Sequence, residues 1–356
     1  MRPLGDFRDR ARSVQLSAIL RTLLTLLVAV VAGAALTWLG VPLGWLLGAM
    51  LTMIAAALLR LPADQPRVIV PWVKASVGTL LGASITPDIV AGATQWWPSV
   101  LCMCIVIVLG GLINFQMLSR LAKFSKVEAT LCSMPGGITE MILLGEMAGA
   151  DQRRVAIVHT LRITLSILTI PILATLIFGV AIDRAGAPDR PPMSVADLFW
   201  FALCILAGVL ADRHTRVPAP LILVPLASSA ALHLSGLTAF GVPNAVSTLI
   251  QLVIGMNVGA RFLGVNVRSL VAMAGAACSV VGVQISLAVA AALLMSRWIG
   301  GDQLSLVLAY APGGLAEMSL IAIAMGREVA FVGLHHVLRV LLSLGASAPL
   351  VRRAAR

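Results

Sequence analysis

Long apolar runs alternate with short polar loops along almost the whole chain. A helix needs about 20 apolar residues to cross the hydrocarbon core of a bilayer, and many of these runs reach that length. The pattern therefore predicts an all-α polytopic membrane protein. The runs cover roughly 16–39, 42–60, 68–86, 97–119, 127–147, 153–181, 194–211, 218–234, 244–260, 269–297, 303–325 and 329–351.

Composition agrees with this class and limits the partners. Of all residues, 59% are hydrophobic and 12% are charged, whereas a soluble domain carries about a quarter charged residues. The net charge of +11 can indicate a nucleic-acid partner, but Lys and Arg lie singly or in pairs in short loops, with no separate basic module. That placement is typical of positive-inside membrane proteins. The lipid bilayer is the predicted partner, and nucleic acid is not.

The N-terminus resembles a signal peptide because several arginines precede an apolar run. The run at roughly 16–39 is too long for a typical signal sequence, and further apolar runs follow it. It is therefore predicted to be an uncleaved first span.

The chain repeats itself at a spacing of 177 residues. The segment Met134–Met141 contains Pro-Gly-Gly-x-x-Glu, and Ala311–Met318 contains it again in the same register. We predict a duplication, with residues 1–182 as the first membrane repeat, 183–193 as a polar linker and 194–356 as the second membrane repeat. Further identical pairs at this spacing are Gly78/Gly255, Gly82/Gly259, Gly149/Gly326, His159/His336 and Arg162/Arg339.

Each repeat has one apolar run that proline and glycine interrupt in the middle. Such residues leave backbone groups that lipid cannot satisfy, so the segment must be buried in protein or line a wet cavity. It could cross the membrane as a broken helix or enter halfway and return as a re-entrant hairpin. The interrupting residues are Pro135, Gly136 and Gly137 in the first repeat, and Pro312, Gly313 and Gly314 in the second.

The distribution of basic residues favours the hairpin. With two hairpins and a cytoplasmic N-terminus, eighteen Lys and Arg lie inside and four outside, against fifteen and seven if both segments cross. The hairpin arrangement obeys the positive-inside rule better. It predicts about ten transmembrane helices plus two re-entrant segments, in two inverted halves, in the bacterial cytoplasmic (inner) membrane. Inverted repeats with broken segments near the midplane are typical of secondary transporters.

Each motif ends in a glutamate, Glu140 or Glu317, in the first turn of the returning helix. A carboxylate in a membrane segment is costly and usually functional. One interpretation is structural, with each glutamate capping its own helix or pairing with an arginine. The other is functional: a proton or cation site that includes freed turn carbonyls, or a helix N-terminus that holds an anionic substrate. The sequence leaves these alternatives open.

The helix after each interrupted segment carries a His-x-x-Arg pair, His159 with Arg162 and His336 with Arg339. The spacing places both side chains on one helix face. Because a buried guanidinium needs a partner, the glutamate of the same repeat is the obvious candidate for a structural salt bridge. In the functional interpretation the arginines bind a substrate carboxylate or similar anion, and the histidines carry protons.

The remaining signals point to packing. Gly78 with Gly82 and Gly255 with Gly259 form small-xxx-small patterns that predict close helix packing. His335 has no counterpart in the first repeat. The five cysteines lie in apolar runs without a Cys-x-x-Cys pair and are predicted to be small core residues. With no metal-ligand cluster and no catalytic or nucleotide motif, we predict no metal, no cofactor and no enzymatic activity.

At the two Pro-Gly-Gly-x-x-Glu blocks and the His-x-x-Arg pairs that follow, the sequence resembles the AbrB family of bacterial integral membrane proteins, which contain an internal duplication. The resemblance covers nearly the whole chain. Members of that family are described as regulators of gene expression and as ammonia monooxygenases. A monooxygenase needs a redox metal site and a DNA-binding regulator needs a soluble basic module, and the sequence contains neither. The resemblance therefore implies at most an indirect regulatory effect.

Two functional hypotheses follow. The first is a secondary transporter that moves a small solute, with an anion favoured, and couples it to protons or Na⁺. In it the two motif glutamates bind the coupling ion and the two arginines bind the anion. The second is a membrane-embedded regulator or scaffold that contacts a partner through loop 120–126 or 213–217. A homodimer is compatible with both.

Overall fold

The structure is a computed structural model that describes residues 4–178, 193–215, 217, 219–240 and 243–354, and only the backbone of residues 4–17, 139, 344 and 348. Every regular element in these residues is a helix. The α-helices are α1 Leu4–Trp38, α2 Gly44–Leu58, α3 Val70–Ala83, α4 Pro87–Ala93, α5 Trp97–Arg120, α6 Lys126–Ser133, α7 Ile138–Met147, α8 Gln152–Phe178, α9 Val195–His214, α10 Pro220–Leu234, α11 Asn244–Gly259, α12 Val267–Ile299, α13 Gln303–Tyr310, α14 Leu315–Ala324 and α15 Val329–Ala354.

The predicted apolar runs coincide with these helices. The two interrupted runs are each divided into a pair of short helices, α6 with α7 and α13 with α14. Hydrophobic patterning missed α4 and the 3₁₀ turn Thr94–Trp96, which lead into α5. The predicted linker, 183–193, lies outside the described residues except for its last position.

Within the described residues, seven helices are long and apolar enough to cross a membrane, which supports the predicted class. Three other predicted spans, α2, α3 and α10, have 14 or 15 residues. At 1.5 Å per residue they reach only about 21–23 Å, less than the ~30 Å hydrocarbon core. The predicted number of ten spans therefore stays a prediction.

The first of two compact units contains Met1–Lys74 and Asn244–Val265. Here α11 packs against α2 at Gly255 and Gly259, where a Cβ would overlap the carbonyl oxygens of Leu46 and Met50. The predicted close packing at this small-xxx-small pattern is confirmed.

The second compact unit contains Ala75–Pro243 and Asn266–Arg356. The other small-xxx-small pattern lies here, on α3. A Cβ at Gly78 or Gly82 would overlap the carbonyl oxygens of Ile222 and Leu226 on α10. Close packing is confirmed at this pattern too.

Two helical hairpins dominate the second unit, and we call residues 126–147 (α6 and α7) the first hairpin. Glu128, Leu131 and Met134 on the first strand of this hairpin meet, in that order, three side chains of α8. These are Arg154 at 3.4 Å, His159 at 3.1 Å and Arg162 at 2.8 Å. Contacts in this order require α6 and α8 to run parallel, so α7 returns to the end from which α6 started.

Residues 303–324 (α13 and α14) form the second hairpin in the same way. At its beginning, Asp302 lies 3.2 Å from Arg327. Deeper in, the carbonyl of Leu308 lies 2.8 Å from His336 of α15, and the carbonyl of Ala311 accepts a bond from the same helix. Here too the hairpin returns to its starting end before the long helix begins.

The two hairpins point in opposite directions. Val351, near the end of α15, packs in one apolar cluster with Val127 and Val155, near the beginnings of α6 and α8. Helices α8 and α15 are therefore antiparallel, and their hairpins start from opposite ends of the unit.

Candidate functional site

Each hairpin has a tip of extended backbone where two short helices end. In the first tip (residues 134–137) Met134 and Gly137 are extended, with φ/ψ of −86°/139° and −67°/143°. Residues 311–314 form the second tip, where Ala311 and Gly314 have the same conformation. Extended backbone at these places leaves the last carbonyls of α6 and α13 without helical partners. The motif therefore creates two sets of polar groups that other side chains must satisfy.

The arginines of the His-x-x-Arg pairs satisfy these carbonyls. Arg162 donates from Nη1 to Met134 at 2.8 Å and from Nη2 to Gly136 at 3.1 Å. Arg339 donates in the same way to Ala311 and Gly313. A guanidinium beside the carboxyl end of a helix also favours the helix dipole. Both arginines are thus built into the tips, and both are almost fully buried.

The histidines bind one turn before each tip. Nε2 of His159 lies 3.1 Å from the Leu131 carbonyl, and Nε2 of His336 lies 2.8 Å from the Leu308 carbonyl. A carbonyl only accepts, so we assign the proton of each neutral ring to Nε2. Their Nδ1 atoms have no partner among the described residues. The His-x-x-Arg pair therefore fastens three carbonyls of each hairpin to the following helix.

The motif glutamates fold over the second glycine of each tip. A Cβ at Gly137 would overlap the carboxylate of Glu140, and a Cβ at Gly314 would overlap that of Glu317. Only glycine leaves room for this arrangement. Each carboxylate lies in the first turn of α7 or α14, where negative charge is favourable. For Glu140, no salt bridge to Arg162 occurs within the described residues, in contrast to one of the sequence-based alternatives.

The two tips meet on α8. The hydroxyl of Ser166 lies 3.1 Å from the carbonyl of Pro312 in the second tip, while Arg162, one turn earlier, holds the first. One helical turn of four residues corresponds to about 6 Å along the axis. The sequence analysis did not single out Ser166, although Ser343 lies 177 residues later in the same register.

A second polar cluster adjoins only the second tip. The hydroxyl of Ser99 lies 2.7 Å from that of Tyr310 and 2.9 Å from Nε2 of His335, and Nδ1 of His335 lies 2.8 Å from the Phe331 carbonyl. The carbonyl fixes the His335 proton on Nδ1, so Nε2 accepts from Ser99, which accepts from Tyr310. This chain joins α5, α13 and α15 immediately before Ala311.

A cavity of about 380 Å³ opens where the second hairpin begins. Burial raises the pKa of the Glu328 carboxyl in its wall, and the nearby Asp302 carboxylate raises it further. The cavity is lined by Gly92, Gln95, Trp96, Ile299, Gly301, Asp302, Ser305, Leu306, Glu328 and Phe331.

In the part of the chain that the structure describes, no group of three or more His, Cys, Asp or Glu side chains could hold a metal ion. The predicted absence of a cofactor and of enzymatic activity stays a prediction. The chemistry at the tips is hydrogen bonding and charge, supplied by two guanidiniums, two carboxylates and several hydroxyls.

Comparison with known proteins identifies the family. A family model described as "Transition state regulatory protein AbrB" matches residues 45–355. The chain belongs to this family. The match includes both hairpins, α8 and α15, and so contains every residue of the two tips.

Two relatives of this AbrB-family chain are similar over almost their full length. One is "Uncharacterized protein YhjN" of Bacillus subtilis (strain 168), 26% identical over 364 residues that cover 94% of this chain and 93% of the relative. The other is "Putative regulator AbrB" of Escherichia coli (strain K12), 25% identical over 320 residues that cover 88% of this chain and 90% of the relative. Neither name mentions an enzymatic activity.

Proposed function

We propose that this protein is a secondary transporter that moves a small anionic solute through the membrane and couples it to protons or Na⁺. One observation carries the proposal. The tips of two oppositely directed hairpins lie one turn apart on α8, at Arg162 and Ser166, in the interior of an apolar helical protein. Such meeting points of broken helices are where secondary transporters place their substrates.

The charges at the tips favour an anion. Arg162 is 3% exposed and has no carboxylate partner among the described residues. A buried cation without a counter-charge is costly, and an anionic solute would supply that charge. The N-termini of α7 and α14 also point their free N–H groups into this region.

The motif glutamates supply the sites for the coupling ion in this proposal. Glu140 is half-buried and Glu317 is 8% exposed, and both carboxylates lie against tip backbone. A carboxylate at the tip of a broken segment can take up a proton, or bind Na⁺ together with backbone oxygens.

The proposed orientation places the beginning of the first hairpin in the cytoplasm of a bacterial inner membrane. Eight basic residues of the second unit lie at or near this end, as expected from the positive-inside rule. The proposal also keeps the two inverted halves, the cytoplasmic N-terminus and the option of a homodimer. The eight residues are Arg120, Lys123, Lys126, Arg153, Arg154, Arg268, Arg352 and Arg353.

The test is uptake into proteoliposomes from a panel of radiolabelled organic anions, under an imposed proton or Na⁺ gradient. We expect Glu140→Gln and Glu317→Gln to lower gradient-driven uptake at least tenfold, about the effect of losing 1.4 kcal/mol, while the thermal unfolding temperature is retained. Glu146→Gln is the matched control, because Glu146 lies on α7 but is exposed at the far end. Uptake by both variants at the wild-type rate would refute the glutamate assignment.

The name of the Escherichia coli relative favours a second candidate, a membrane-embedded regulator that acts without binding DNA. Its docking surface would be the basic loop 120–126. This candidate predicts no flux of any anion under either gradient, together with a change in gene expression when Arg120, Lys123 and Lys126 are replaced by glutamine. Gradient-driven uptake by the purified protein would contradict it.

A further inference from the structure

Ser343 of α15 is buried, and its hydroxyl has no hydrogen-bond partner. The residue is 1% exposed, and the oxygen is unpaired among the described residues. Most helical serines and threonines in this protein donate to a carbonyl three or four residues earlier, as Ser166 does to Arg162 at 2.7 Å. Ser343 makes no such bond to Arg339. Its hydroxyl therefore points away from its own backbone, at a cost that a ligand would remove.

The position of Ser343 follows from the direction of its helix. It lies four residues after Arg339, on the same helix face and about 6 Å further along the axis. Arg339 holds the second tip, which is level with Ser166 on α8. Because α15 runs antiparallel to α8, one further turn brings Ser343 to the level of Arg162 and the first tip.

Two other unpaired groups occur at these levels, and both are donors. The Nε atoms of Arg162 and Arg339 have no partner among the described residues, although the Nη atoms of both are used by the tips. Two N–H groups and one O–H group, without an unpaired acceptor among these three, match the oxygen atoms of an anion.

We propose that Ser343 is a solute-binding residue, whose hydroxyl binds a carboxylate or similar oxyanion together with the free Nε–H of Arg339. This inference rests on the proposed transport function and adds a residue to its site. Access comes from the first tip, since Pro135, Gly136 and Gly137 are partly exposed. The position that matches Ser343, Ser166, instead bonds the Pro312 carbonyl.

The inference is tested by binding to the purified full-length protein in detergent. The probes are the sodium salts of acetate, succinate and inorganic phosphate, and the dissociation constant is measured by calorimetry and by the thermal shift. We expect Ser343→Ala to weaken binding of the best probe about tenfold or more, because the bond lost is to a charged group. Ser343→Thr keeps the hydroxyl and retains more of the affinity than Ser343→Ala.

Ser347→Ala is the matched control, since Ser347 is buried one turn later on the same helix and is not without a partner. Its affinity for the probe is expected to stay within about twofold of wild type. Equal affinity of wild type and Ser343→Ala would overturn the inference and leave the transport proposal standing. Slower uptake by Ser343→Ala at unchanged affinity would also overturn it, because the hydroxyl would then serve hairpin movement. Failure of all three anions to bind wild type would count against both proposals.

Discussion

The two hairpins make the same contacts at their tips but differ in how deeply the tips are buried. In the second, Pro312 and Gly313 are buried and Glu317 is 8% exposed. In the first, the residues from Pro135 to Gly137 and Glu140 are all partly exposed. One sequence motif therefore forms one fixed tip and one accessible tip.

The difference has a structural cause beside the motif. Only the second hairpin has the Ser99–Tyr310–His335 chain, which connects α13 to α5 and α15. At the spacing of 177 residues, the corresponding positions are Ala276, Ser133 and Val158, which cannot form such a chain. The second hairpin is thus held by contacts that the first does not have.

Removal of the tip arginines should show this difference most strongly. Arg339→Ala leaves two carbonyls of a buried tip without donors, so we expect a loss of about 3 kcal/mol in the free energy of unfolding. Arg162→Ala should cost roughly half as much, because water can reach the first tip. Denaturant unfolding in micelles measures both. Arg154→Ala, at the partly exposed beginning of α8, should cost less than about 1 kcal/mol. Equal losses for the two tip arginines would contradict the comparison.

Disruption of the Ser99–Tyr310–His335 chain should affect one hairpin only. We expect Tyr310→Phe or His335→Val to lower the free energy of unfolding by about 1–2 kcal/mol, with less than additive effects when combined. Backbone amides of 303–324 should exchange hydrogen faster, while those of 126–147 stay unchanged. As a control, Ser133→Ala removes a hydroxyl that bonds only the nearby Thr130 carbonyl, and neither hairpin should change. Faster exchange in both hairpins would show that the chain supports the whole unit.

The smallest expected effect concerns Glu328 and its matched position, Asp151. A carboxyl with a raised pKa holds its proton more tightly in the folded state, so its contribution to stability is full at low pH and is lost as pH rises through the raised value. Glu328→Gln should therefore unfold at a slightly higher temperature than wild type at pH 8 and at the same temperature at pH 4.

Asp151→Asn should have the opposite sign at pH 8. The Asp151 carboxylate accepts from the N–H groups of Arg153 at 2.9 Å and Arg154 at 3.2 Å, at the N-terminus of α8. Loss of its charge weakens that cap. A stabilising effect of both substitutions would mean that the two hairpins begin in equivalent environments.

Sequence analysis located the helices and the tips well because lipid imposes long apolar segments and few exceptions. A proline-glycine interruption in such a segment has to be buried and satisfied, so Pro135 and Pro312 pointed directly to the tips. The His-x-x-Arg spacing placed the right side chains on one face. It did not predict that the arginines bind carbonyls, because a glutamate in the same repeat looked like the better partner for a guanidinium.

The beginnings of the hairpins show why further contacts could not be predicted. In the first, Glu128 forms a capping box with Ser125 and also holds Arg154. In the second, Asp302 caps α13 and holds Arg327. The same task is carried out by residues at positions that do not match, so comparison of the two halves gave no signal. The register between separate helices selects these partners.

The sequence by itself determined the membrane class, the positions of the helices and the places where the backbone must be irregular, because each follows from local composition and period. Only the tertiary structure decided that α6 returns beside α8, that the two tips meet at Arg162 and Ser166, and that one tip is buried while the other is accessible. Those properties depend on contacts between residues that are up to 236 positions apart, as Ser99 and His335 are. Packing chooses such contacts among many partners of the same residue type, and local pattern carries no record of that choice.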